Sequence, residues 1–235
     1  MDKRLLLYLI PCFIVFTIIG TLSHEGGHYF AAKYFGYNAH IRYAFTHWED
    51  KDTSKNSFMT STYLNYETEI NAKKDFPGKE RFLKISKERY KAGFWMIVWG
   101  PLQTMLTGTL GFILILFFGK SFRSANRLRF WQWLLVFSSL FWLRQIFNMV
   151  TWIGNYLIKG EFRESMDEIH IANHFHLPIG TIIGATAIVS IIIASIVIFK
   201  FIPKVQRKTF IVAGLVGGVA GYVIWLVLLG PVVMP

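Results

Sequence analysis

The chain has 235 residues, of which 53% are hydrophobic, and its mean hydropathy is +0.40, too apolar for an ordinary soluble domain of this length. Its formal net charge of +11 falls in Lys and Arg clusters between apolar runs. That pattern reads as anionic lipid headgroups and membrane topology and not as nucleic acid binding.

Five segments are long and apolar enough to cross a bilayer: Leu5 to Gly36, Gly93 to Phe118, Phe130 to Ile153, Ile179 to Ile202 and Thr209 to Val233. The expected architecture is an all-α polytopic membrane protein, one integral membrane domain over residues 1–235, with a small hairpin-containing loop between its first two spans. The stretch from Met1 through Ser23 has the charged start and apolar middle of a signal peptide, but Thr21-Leu22-Ser23 is a poor cleavage site, so it reads as a retained span. Its helix is expected to run to Tyr34 or Phe35, with Gly36 as the stop signal.

Near the end of that first span stands His24-Glu25-Gly26-Gly27-His28. Residues four apart share a helix face, so His24 and His28 both offer an imidazole to one ion while Glu25 projects beside them toward a bound water. In this H-E-x-x-H pattern the Glu is the general base and not a ligand. Gly26 and Gly27 each cost about 1 kcal/mol against Ala inside a helix, which predicts close packing at both. Cys12 is the sole cysteine, so zinc has only nitrogen and oxygen ligands available.

Tyr37 to Lys91 is the one sizeable polar region. Ile41, Tyr43 and Phe45 alternate with polar or small residues between His40 and Trp48, and a second β-rich stretch runs from Phe58 to Tyr66 beyond the polar turn Glu49 to Ser57, predicting a β-hairpin. From Lys79 to Lys91 the positions Phe82, Ile85 and Arg89 predict an amphipathic helix lying at the interface before the second span. Arg144 is a formal charge deep in the third span, where charged residues are paired or functional by default. Pro178 is expected to open the fourth span.

A catalytic zinc takes three protein ligands and keeps a fourth position for water. No span after the first contains Asp or Glu, so a third carboxylate has to come from a membrane edge, where Asp167 and Glu168 are best placed. Asp167, His170 and His174, spaced i, i+3 and i+7, form a rival set on one helical face.

The run from Ser23 to Gly36, including the Gly before the second His, resembles the first-motif helix of the site-2 protease family of intramembrane zinc metalloproteases. Gly100-Pro101 is similar to that family's Gly-Pro motif, and Asp167 falls where its distal Asp completes the zinc site. The resemblance implies Zn2+ on His24, His28 and Asp167, catalysis by Glu25, a membrane protein substrate, and a β element, here around Ile41 to Phe45, that clamps the extended substrate. Two departures stand out: Thr104, or Gln103, replaces the usual Asn after Gly-Pro, and the distal motif reads Asp167-Glu168 and not Asp-Gly. Asn148 matches either the family's polar residue ahead of the distal Asp or a plain helix-packing Asn. Two further readings stay open: a zinc-binding membrane adaptor or chaperone without catalysis, and a prenyl-protein type of protease whose third ligand is Glu164 or Glu168. A transporter is disfavoured by the lack of a half-repeat. Orientation is contested, because Lys3, Arg4 and the basic clusters at 120–129 and 200–208 call their shared side cytoplasmic, whereas the resemblance implies an outside amino terminus.

Overall fold

The computed structural model describes residues 1–235. The Asp2 carboxylate starts the first helix by accepting the Leu5 N–H at 3.1 Å. That helix, α1, spans Lys3–Tyr34, and Gly36 ends it at φ +83°, a conformation open to a residue without Cβ. His24 lies about 32 Å along α1 from Lys3, close to one hydrocarbon thickness of about 30 Å, so in a bilayer the motif sits at the far edge of the apolar layer.

Strands β1 (Tyr37–Ile41) and β2 (Thr46–Asp50) form an antiparallel hairpin in which Ala39 faces Trp48. Its turn is docked onto the carboxyl-terminal helix: the Tyr43 N–H donates to the Met234 carbonyl at 3.1 Å, and Trp225 Nε1 donates to the Tyr43 carbonyl at 2.9 Å. The hairpin is therefore tighter than expected. The stretch Phe58 to Tyr66 is not its second strand but part of a helix, α2 (Thr53–Asn71). Asp52 caps α2 through the Lys55 N–H at 3.1 Å, Phe58 and Thr62 share one helical face, and the helix kinks at Tyr66, whose φ is −132°. Phe58 meets Arg81 and, at the kink, Tyr66 stacks on Phe76, tertiary contacts that override the β propensity of the segment.

The segment Lys79 to Lys91 is not a separate interfacial helix. It continues without a break into the second span as α3 (Lys79–Phe117), 39 residues long, because nothing between Arg89 and Phe94 interrupts helical hydrogen bonding. A short α4 (Gly119–Arg123) leads to the third span, built from α5 (Phe130–Ser139), one 3₁₀ turn (Leu140–Trp142) and α6 (Leu143–Lys159). At that turn the Ser190 hydroxyl donates to the Trp142 carbonyl, while Gly108 and Gly111 of α3 let Trp142 and the Ser138–Ser139 backbone approach closely. After α7 (Asp167–His174) come α8 (Thr181–Ile196), α9 (Lys204–Tyr222) and α10 (Gly230–Val233), with π-helical turns closing α8 and α9. Helix α8 begins three residues after Pro178. The Pro178 carbonyl accepts from the Thr181 amide and hydroxyl, and Gly180, at φ +88°, lies against the Trp152 ring where a side chain has no room.

The fold is all-α with one hairpin between the first two long helices, and five helices are long and apolar enough to cross a membrane. Phe13, Val136, Phe137, Phe201 and Phe210 form the main core at the end opposite the motif. Gly217 and Gly221 of α9 admit Ile10, Phe13 and Thr17 of α1 at close range. At that same end Arg127 pairs with Asp2 at 3.2 Å and Arg207 donates to the Ile198, Phe199 and Ile202 carbonyls.

Candidate metal centre

His24, Glu25 and His28 are buried where α1 meets α3 and β2. The helical spacing turns both imidazoles one way, with Nε2 atoms 3.2 Å apart. Each ring is fixed through its other nitrogen. His28 Nδ1 lies 2.7 Å from the Met96 carbonyl, which only accepts, so Nδ1 carries the proton. His24 Nδ1 lies 3.1 Å from Thr104 Oγ1, whose hydroxyl donates to the Gly100 carbonyl at 3.0 Å, so Nδ1 is again the donor. Both Nε2 lone pairs consequently face the same space.

Asp167, the first residue of α7, completes the group. Its Oδ2 lies 3.0 Å from His24 Nε2 and 3.3 Å from His28 Nε2. Three lone-pair donors aimed at one point repel each other unless a cation sits between them. Ligand atoms held about 2.0–2.1 Å from a tetrahedral zinc stand roughly 3.3 Å apart, and the 3.0 to 3.3 Å edges seen here fit that donor set. The ligand atoms of His24, Glu25 and His28 also lie within 4.8 Å of one another, so this group can hold a metal ion. Asp167 Oδ2 and the Glu25 carboxylate thus both stand beside the two imidazoles.

Glu25 is held from the hairpin. The Thr46 hydroxyl lies 2.9 Å from its carbonyl oxygen and 3.1 Å from Oε2, while Arg144 Nη2 approaches Oε1 to 4.0 Å. The motif's glycines divide. A Cβ on Gly27 would strike the Trp99 carbonyl, and one on Gly100 would strike the His28 ring, so these two set the α1–α3 spacing. Around Gly26 nothing lies within 4 Å, contrary to the expectation of tight packing there.

The other candidates lie elsewhere. Glu168 is buried but accepts from Asn148 Nδ2 at 2.8 Å, and burial together with the Asp167 charge pushes its carboxyl above the ordinary value. Asn148 thus orients the residue next to Asp167. Glu164 and His170 are exposed. His174 stacks on Phe94 at 3.7 Å, with Nδ1 3.0 Å from the Tyr90 hydroxyl, so Asp167, His170 and His174 do not form one centre. Sequence reasoning missed Thr46 and the Met96 carbonyl, and met Thr104 only as a departure from a pattern.

The chain matches no family model, no curated protein and no solved structure.

Proposed function

We propose that the protein is an intramembrane zinc metallopeptidase similar to the site-2 proteases, hydrolysing peptide bonds of membrane-embedded or membrane-proximal segments. The observation that carries this reading is the convergence of the His24, His28 and Asp167 lone pairs beside a buried carboxylate that is not one of them. Zinc bound there supplies a Lewis acid that lowers the pKa of a water to about 7. Glu25, steadied by Thr46, takes the water proton and delivers it to the leaving amine. Met96 and Thr104 keep both imidazoles in the metal-binding tautomer.

A helical substrate hides its carbonyls in its own hydrogen bonds, so it has to unwind before cleavage. The outer edge of β2 is suited to hold it extended. Hydrogen-bonded pairs alternate along an antiparallel ladder, and the Arg42 N–H bond to the Phe45 carbonyl fixes the phase. Thr46 and Trp48 then turn their backbone groups away from β1. Thr46 touches Glu25 and the Trp48 ring lies 6.2 Å from that of His28, so a strand added to this edge runs past the metal site. The clamp is thereby assigned to β2 and not to the docked turn around Tyr43.

Cleavage of a membrane-embedded reporter by wild type and Glu25→Gln tests the proposal. The variant is expected to keep its zinc and lose cleavage; a variant that still cleaves contradicts it.

A further inference from the structure

Apart from Arg144, every site-facing group is an acceptor or has its proton committed to another residue. His24 and His28 spend their N–H groups on Thr104 and Met96, Asp167 and Glu25 are carboxylates, and Thr46 directs its single proton to Glu25. Hydrolysis, however, builds negative charge on the carbonyl oxygen and calls for a donor.

Arg144 of α6 is the donor that remains. Its side chain is 24% exposed, its Nε is buried without a hydrogen-bond partner, and its terminal nitrogens make no hydrogen bond within the protein. The nearest anion, Glu25 Oε1, lies 4.0 Å from Nη2, within electrostatic attraction but beyond hydrogen-bond reach. Glu25 is 3% exposed, so the guanidinium reaches toward a buried carboxylate; its Nε is sealed off while its terminal nitrogens stay accessible beside the site. One turn further along the same face, Asn148 holds Glu168 beside Asp167, which makes this face of α6 a wall of the site. A charge in a membrane-crossing helix is paired or functional, and Arg144 has an anion within attraction but no hydrogen-bond acceptor, so its N–H groups stay uncommitted.

We propose, resting on the peptidase reading, that Arg144 is the oxyanion-binding residue, its free N–H groups donating to the carbonyl oxygen of the scissile peptide. As the water oxygen bonds to the carbonyl carbon, the C=O π pair moves onto that oxygen and one water proton passes to Glu25. The pair then returns, the C–N bond breaks, and the proton goes to the departing nitrogen, so one water is consumed and an acid and an amine are released. Arg144 holds the charge between the two events.

The test uses the full-length protein in detergent, as wild type, Arg144→Gln and Arg144→Lys. Two probes are titrated: a phosphinic peptide, whose tetrahedral anionic centre mimics the charged oxygen, and a matching peptide hydroxamate, which binds zinc without one. Zinc content is expected to be equal in all three proteins and hydroxamate affinity nearly so. Phosphinic peptide affinity and kcat are expected to fall about 10²- to 10³-fold in Arg144→Gln with KM little changed, and Arg144→Lys to recover part of both. An Arg144→Gln protein that binds the phosphinic peptide and turns over as wild type overturns the assignment. So does one that loses zinc and both probes together, which is the mark of a structural role. Wild type that holds neither zinc nor either probe overturns the peptidase reading itself and this inference with it.

Discussion

Gly100→Ala is expected to remove the metal while leaving the fold in place. The added Cβ would stand 2.8 Å from His28 Cδ2 and closer still to two other ring atoms, against an ordinary carbon contact of about 3.5–4.0 Å. The ring therefore has to shift by roughly 1 Å, whereas metal–ligand distances tolerate about 0.2 Å. It cannot slide aside freely, because His28 Nδ1 is tied at 2.7 Å to Met96 on the same helix, and leaving that N–H unpaired costs about 1–3 kcal/mol. Against this, Ala in a helix interior gains about 1 kcal/mol over Gly, so a net destabilisation of about 0–2 kcal/mol is expected. Gly26→Ala is the matched control: nothing lies within 4 Å, and it should keep zinc and gain about 0.5–1 kcal/mol. Chelator competition and thermal unfolding in detergent read both quantities. Wild-type zinc affinity in Gly100→Ala, or zinc loss in Gly26→Ala, would refute the packing account of His28.

Thr104→Val keeps the side-chain shape but leaves His24 Nδ1 without its acceptor, so zinc affinity measured by chelator competition should fall about 10- to 100-fold. Glu168→Gln tests the raised carboxyl. A folded-state pKa above the unfolded value makes the folded chain bind more protons as pH rises past the ordinary value, so wild type loses stability there. The variant should match wild type in acid and become relatively more stable toward neutral pH, while keeping its Asn148 hydrogen bond and its zinc; thermal unfolding from pH 4 to 8 reads the difference, and parallel curves would exclude it.

The two imidazoles were legible in the sequence because their geometry is local, set by helical spacing alone. Asp167 was legible only as a carboxylate at a membrane edge, singled out by a resemblance, since 143 positions separate it from His24 and no spacing rule spans that distance. The Met96 carbonyl carries no signal, because every residue has one. Thr46 reaches Glu25 through a hairpin whose second strand was misplaced. The misplacement arose because Phe58, Thr62 and Tyr66 satisfy β propensity and helical spacing together, and only their contacts with Arg81 and Phe76 decide between them. Arg144 could be marked as a charge out of place, but not as a neighbour of Glu25.

The central claim is that one zinc is held by three named side chains, and the zinc content of purified wild type, His24→Ala, His28→Ala and Asp167→Ala tests it most directly. One zinc per chain in wild type and severe loss in each variant is the expected result. Equal zinc in all four proteins, or loss in the two His variants with full retention in Asp167→Ala, would contradict the three-ligand centre.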